Sequence, residues 1–298
     1  MTISKFLNPK NDVAFKKLFG TEKHKEIVIH FINDVLDLKG KNKIKTVEFL
    51  TPIQDPEIAS KKQSIVDVLC KDENDVQIIV EMQVAPTRGF EKRAQYYAAK
   101  TYSRQLDKGG KYNSLKEIVF IAISDCIVFP NKEEYKSDHV ILDKSTYEHD
   151  LKDFSFTFIE LPKFRIKDIN LLTSILEKWC FFFKYADETT EAELERLIGS
   201  DTVIKVAYEA LNQFNWTEKE LIAYEEEIKR VMDNEAAMDY QYEKGKVEGI
   251  EKGKAEERAK AKEEKVSMVK ILLSQGVDAS VISRATGITI DEINKMKN

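Results

Sequence analysis

The feature that most constrains this chain is a pair of short apolar runs with acids set inside them. Residues 63–70 (QSIVDVLC) and 75–84 (DVQIIVEMQV) are apolar on both faces, the pattern of central strands in a covered sheet. The polar Lys71-Asp72-Glu73-Asn74 between them reads as a turn, so the pair is expected to form a hairpin. Asp67, Glu81 and Gln83 are polar exceptions inside these runs. A carboxylate buried without a partner is costly, so it either finds a cation or shifts its pKa. Glu81 and Gln83 are two residues apart and leave the same face of their strand. With the turn centred on Glu73, Asp67 falls opposite Ile79. Asp67, Ile79, Glu81 and Gln83 then share one face, with Glu81 diagonal to Asp67. A shift of half a residue would put the acids on opposite faces. Carboxylates clustered in this way, with few nitrogen or sulfur ligands nearby, suit a hard ion such as Mg²⁺ or Mn²⁺. A lone Asp in a strand is more often an edge or turn residue, and spacing alone leaves that reading open.

The flanking pattern is mixed. Asn8-Pro9-Lys10-Asn11-Asp12 reads as a helix start capped by Asn11 or Asp12, and Ile27, Val28, Phe31, Ile32 and Val35 mark a second helix. Residues 43–50 alternate as a strand does. The stretch 88–106 is helical up to Asp107-Lys108-Gly109-Gly110, and 116–124 (KEIVFIAIS) is a strongly apolar strand, with weaker strands at 138–142 and 154–161. Residues 169–185, with Trp179 and Phe181 to Phe183, read as a buried helix, and 190–240 as acidic and helical. An internal repeat follows, EKGKVEGI (243–250) and EKGKAEER (251–258). The last thirty-odd residues read as three short helices, separated at Gly276 and Gly287, the third opened by the capping box Thr289-Ile290-Asp291-Glu292. The expected organisation is an α/β domain over 1–185, an acidic helical segment over 186–240, a Gly/Glu/Lys-rich helical linker over 241–264, and a small three-helix tail over 265–298.

Composition narrows the chemistry. Cys70, Cys126 and Cys180 are far apart, contain no CxxC pair, and sit among apolar residues as reduced thiols do. The four histidines have no metal-ligand spacing, which leaves little for a zinc hydrolase to use. No apolar run approaches the ~20 residues of a membrane span, and Met1–Lys10 lacks a signal-peptide core. A cytoplasmic location is therefore expected. The net charge of −5 is uneven: residues 1–185 carry +3, 186–240 carry −10 and 241–298 carry +2, so the front domain is free to meet phosphates.

The run IVDVLCKDENDVQIIVEMQ resembles the PD-(D/E)XK motif, D–x(n)–(D/E)xK. It is closer still to the Rpn family of recombination-promoting nucleases, which also carries a transposase label. NPKNDVAFKKLFG is similar to that family's opening motif, FEKRAQYYAAKTYSRQLDKGGKY to its helix after the hairpin, and FIELPKF (158–164) to its late strand. The resemblance covers roughly residues 5–185. It implies a restriction-endonuclease-like mixed sheet flanked by helices, with Asp67 and Glu81 binding a divalent ion and Asp12 as an outer acidic ligand or a helix cap. Gln83 stands where the superfamily has lysine. It departs from that pattern, although ExQ is common in the Rpn family, and it would orient water or leave that task to another base.

Arg93, Tyr97, Lys100 and Arg104 are spaced 4, 3 and 4, so they line one side of the helix, where cations beside an aromatic grip a phosphate backbone. A merely solvated helix face is the competing reading. Arg93 and Gln95 are the candidates to reach the active site, and Lys100, Arg104, Lys108 and Lys111 to hold the backbone without reading sequence. The expected function is metal-dependent endonucleolytic cleavage of DNA in recombination or transposition of mobile elements. RNA stays open, because backbone contacts do not name the sugar. The alternative is a catalytically weak nuclease fold that binds DNA or a partner. Gly245, Gly249 and Gly253, four apart, mark either a self-association strip forming a homodimer or a charged flexible linker. The third tail helix begins with two acids, so it is a poor groove reader.

Overall fold

The computed structural model describes residues 5–54, 64–106, 110–199 and 202–296. These form two compact units, 1–228 and 229–298. In the first, helix α1 (Asp12–Phe19) begins where the side chain of Asn11 accepts the N–H groups of Val13 and Ala14. Asn11 is therefore the cap, and the carboxylate of Asp12 is left for other work. Helix α2 (Lys25–Val35) follows.

The strands are β1 (Val47–Phe49), β2 (Ile53–Gln54), β3 (Ser64–Ile65), β4 (Val68–Asp72), β5 (Gln77–Gln83), β6 (Ile118–Ser124), β7 (Lys136–Val140) and β8 (Phe154–Glu160). Six of them form a mixed sheet in the order β1-β4-β5-β6-β8-β7, and β2 pairs with β3. Strands β5, β6 and β8 are parallel neighbours, and helix α3 (Phe90–Ser103) is the crossover between β5 and β6. Such a crossover must lie on a sheet face, and both faces here are covered. On one, Val68, Cys70, Ile78, Val80, Val119 and Ile121 meet α1, α2 and α4 (Ile175–Tyr185) in a core centred on Phe15, Phe19, Phe31, Trp179 and Phe183. On the other, Leu69, Ile79, Phe120, Ala122 and Phe158 meet Phe90, Ala94 and Ala98 of α3. A mixed sheet with helices on both faces is the α/β arrangement that the PD-(D/E)XK resemblance implies.

The hairpin register corrects the one expected from the turn. Val68 pairs with Val80, Leu69 with Ile79 and Lys71 with Gln77, so the turn is centred on Asn74 and Asp67 is not opposite Ile79. The loop is three residues long and closed by Asp72 N–H to Val76 O at 3.0 Å, with Asp75 in the left-handed region at φ 63°. The Asp72 carboxylate accepts the N–H groups of Asn74 and Val76, which makes Asp75 tolerable there without glycine. The centre moved by one whole residue, so the acids stay on one face.

The acidic stretch 186–240 is divided. Helices α5 (Glu191–Ile198) and α6 (Thr202–Leu211) bury Leu197, Ile204, Ala207, Tyr208 and Leu211 in the larger core, and Trp216 and Tyr224 join them. Helix α7 (Glu218–Ser274) is continuous over 57 residues and contains all three repeat glycines. The first of the three expected tail helices is thus the end of α7. Gly276 (φ 77°) ends it, and α8 (Ala279–Thr286) and α9 (Ile290–Lys295) follow, α9 with the expected Thr289 capping box. Val269, Ile282 and Ile293 make a small separate core. Cys70 and Cys180 are buried free thiols, whereas Cys126 is only half-buried. No described helix is long and apolar enough to cross a membrane.

Candidate active site

Asp67 occupies a break in its strand. Phe49 pairs with Cys70 and Ile53 with Ile65, so three residues on one side face four on the other; Leu50 still bonds Leu69 and Val66 still bonds Pro52, so the extra residue makes a bulge at Asp67–Val68. In the regular ladder Met82 N–H would donate to Val66 O. Instead Oδ2 of Asp67 takes that N–H at 2.8 Å. The end of the hairpin ladder is therefore closed by a side chain, which fixes where the carboxylate lies.

By the observed register Glu81 is the residue across from Asp67. It is 5 % exposed, and its Oε1 is buried without a hydrogen-bond partner. The two carboxyl groups are within hydrogen-bonding reach of each other. Burial, then the charge of Asp67, raises the pKa of Glu81 well above the ordinary carboxylate range. Asp67 is also raised, chiefly by burial and against the Met82 N–H bond, with the charge of Asp12 adding to the rise. A pair that resists ionising both members is one that a cation would relieve.

Gln83 shares Glu81's face and is 7 % exposed. Its Nε2 donates to Ala85 O and, at 3.0 Å, to Thr87 Oγ1, and its Oε1 accepts from Nη2 of Arg93. Gly89 makes this possible: its φ of 81° lets α3 start abruptly, and Arg93 N–H bonds Gly89 O one turn in. The guanidinium lies over the rings of Phe90 (4.9 Å) and Tyr97 (6.0 Å). Burial, and to a lesser degree the charges of Glu81 and Asp67, raise the Tyr97 phenol against the pull of Arg93, so Tyr97 is within electrostatic reach of the pair.

Asp12 is held by Lys16 at 2.8 Å. Burial lowers the pKa of Lys16, but the bond to Asp12 and the charges of Asp12, Asp67 and Glu81 outweigh it and the net shift is upward. Lys16 was not singled out in the sequence. The Asp12–Lys16 spacing of four on one helix was the available signal. Among the described residues no three His, Cys, Asp or Glu side chains gather as a metal-holding group. Asp67 and Glu81 are the two carboxylates that would hold an ion here. The pair fits a Mg²⁺-type ion, which takes one or two carboxylates and completes its shell with water and substrate phosphate. The orphaned Oε1 of Glu81 is the atom such an ion would satisfy.

The α3 face is graded along its length. Arg93 reaches Gln83, whereas Gln95, about 200° around the helix from Arg93, is exposed and donates to Glu91 O, so the two do not converge. Lys100 and Arg104 lie about 10 and 17 Å further along the axis at 1.5 Å per residue. Lys111 is exposed before the start of β6, the end of the parallel strands opposite Gln83. Lys108 lies outside the described residues.

A family profile described as "PD-(D/E)XK nuclease family transposase" matches residues 9–241. The match extends the similarity beyond residue 185, through the helices that complete the larger core. Comparison with curated proteins and with solved structures gives no significant match. The profile spans most of the chain and the sheet carries the fold it implies: the chain belongs to the PD-(D/E)XK nuclease family transposases.

Proposed function

We propose that the protein is a divalent-metal-dependent DNA endonuclease that hydrolyses phosphodiester bonds, acting in the recombination or transposition of mobile DNA in the cytoplasm. The observation that carries the reading is the buried Asp67–Glu81 pair, with Glu81 Oε1 unsatisfied, on a sheet of nuclease fold. Asp67 and Glu81 would hold Mg²⁺ or Mn²⁺, and Asp12 would act from outside through its charge on Asp67. When bound, the ion supplies a better nucleophile from water and stabilises charge on the scissile phosphate. Met82 N–H keeps Asp67 aimed, and the surrounding apolar face restricts water. Lys100 on α3 and Arg104 at its C-terminal cap support the backbone-holding role, with Lys111 more remote.

Cutting both strands of a duplex needs two sites. We assign the pairing to the exposed stretch of α7 around Gly245, Gly249 and Gly253, where an added Cβ would meet nothing within 4 Å. The test of the function is relaxation of supercoiled plasmid by the full chain with Mg²⁺ or Mn²⁺, beside the same reaction with EDTA. Metal-dependent nicking supports the endonuclease. Plasmid binding without cleavage under either ion favours the non-cutting alternative, and cleavage confined to RNA reassigns the substrate.

A further inference from the structure

Gln83 sits at the position of the superfamily lysine, and its amide has one workable orientation. Nε2 faces two acceptors, Ala85 O and Thr87 Oγ1, while Oε1 faces a donor, Arg93 Nη2. Rotating the amide by half a turn would set NH₂ against the guanidinium and oxygen against a carbonyl. Both ends of the amide are therefore engaged within the protein. Arg93 is less satisfied: its buried Nε has no hydrogen-bond partner among the described residues. Its plane is pinned by Phe90 and Tyr97, and its charge is felt at Glu81.

We propose that Arg93 supplies the positive charge that a lysine at position 83 would otherwise bring, and that Gln83 is a positioning residue that holds the guanidinium beside Glu81. This rests on the nuclease reading above. In the hydrolysis, the oxygen of water bonds to phosphorus and the bond to the leaving sugar oxygen breaks. Of the two water protons, one stays on or leaves the new phosphate and the other is matched by the proton taken up by the leaving oxygen. Negative charge accumulates meanwhile on the non-bridging oxygens. A guanidinium carries the charge and the planar donor set that suit those oxygens. Arg93 is then the catalytic residue, and Gln83 acts only through it.

The two roles make opposite demands on a lysine at position 83. If Gln83 is a weakened catalytic lysine, Gln83→Lys should raise the rate. If Gln83 holds Arg93, the same change sets an ammonium against the guanidinium and removes its acceptor, and the rate should fall.

The experiment is single-turnover plasmid cleavage with saturating Mn²⁺ by the full-length protein and by Gln83→Ala, Gln83→Lys, Arg93→Ala and the Gln83→Ala/Arg93→Ala double variant. DNA affinity is measured alongside, in Ca²⁺. Loss of Arg93 should slow cleavage by roughly 10²–10³-fold, the scale of losing one charge-stabilising donor. Its effect on affinity should be several-fold at most. Gln83→Ala should slow cleavage by less, and the double variant should be no slower than Arg93→Ala, because the first residue works through the second. Added guanidinium ion should restore part of the Arg93→Ala rate, a readout that holds even if a Gln83 variant folds poorly. The proposal is overturned if Gln83→Lys equals or exceeds the wild type, if the two alanine effects multiply, or if Arg93→Ala cleaves at the wild-type rate. A wild-type protein that cuts nothing removes the nuclease reading and this inference with it. An active wild type with any of the three contrary results removes the inference alone.

Discussion

Oδ2 of Asp67 accepts the backbone N–H of Met82 at 2.8 Å, the residue next to Glu81, so strand β5 holds both acids, one through its backbone and one as its own side chain. Their separation is thus set by the local geometry of a single strand. The arrangement is costly without a cation, and that cost gives a first prediction.

Glu81 titrates well above its unfolded value of 4.5, so the folded chain binds this proton more tightly than the unfolded chain. The Glu81 contribution to metal-free stability is then present in full below about pH 4.5 and falls as pH rises toward the folded pKa. Glu81→Gln removes the titration and keeps the shape. In EDTA at pH 8 this variant should melt about 2–4 °C above the wild type, the shift for ~1 kcal/mol in a chain of this order of size. The gap should close toward pH 5, and Mn²⁺ should raise the wild-type melting temperature but not the variant's. Differential scanning calorimetry in the two conditions checks both signs.

A second prediction concerns α1 and the start of α7. Lys17 bonds Glu220 at 2.6 Å and lies 4.1 Å from the centre of the Trp216 ring. The Lys17 bond, with help from Thr217 N–H, pulls Glu220 down to about 2. Its contribution is present above the unfolded pKa of 4.5 and lost as pH falls toward 2. Glu220 is partly exposed, so Glu220→Gln should cost only ~0.2–1 kcal/mol at pH 7. The loss, read from thermal melts, should shrink in 1 M salt and vanish near pH 2.

The α3 face should hold phosphates without reading bases. Lys100→Ala and Arg104→Ala should each weaken DNA binding by a similar factor for unrelated sequences. Each should also reduce the slope of log affinity against log salt by about 1. Fluorescence anisotropy over a salt series measures this. An unchanged slope for both would return that face to a solvated helix surface.

The glycine strip of α7 predicts an association. Glycine costs a helix ~1 kcal/mol per position relative to alanine, and Gly245, Gly249 and Gly253 sit in α7 with open space beside each. Sedimentation of the full chain at micromolar concentration should show a dimer that Gly249→Leu weakens. A monomer that still makes double-strand breaks would remove the role for the strip.

The strands, the hairpin and the paired acids were legible because a carboxylate inside an apolar run is rare enough to stand out. The register was not. It depended on a three-residue loop with Asp75 at φ 63°, where no glycine marks the turn. The bulge at Asp67–Val68 is equally silent, since neither residue is a conformational signal there, yet it lies at the key carboxylate. Helical period fixes a face, so spacing sets Arg93 on the side where it meets Gln83 and Gln95 on the far side. The glycines and charge blocks of α7 resemble breaks, and nothing local announces a continuous helix.

The most direct test of the metal-dependent nuclease is a time course of supercoiled plasmid with Mg²⁺ for the wild type, Asp67→Ala and Glu81→Ala, each first shown to melt cooperatively. The pair acting as ion holder predicts nicked and linear product from the wild type, abolished by EDTA, and a loss of at least ~10²-fold for each variant, on the scale of removing a principal charge-stabilising group. Cleavage by either folded variant at the wild-type rate would contradict it.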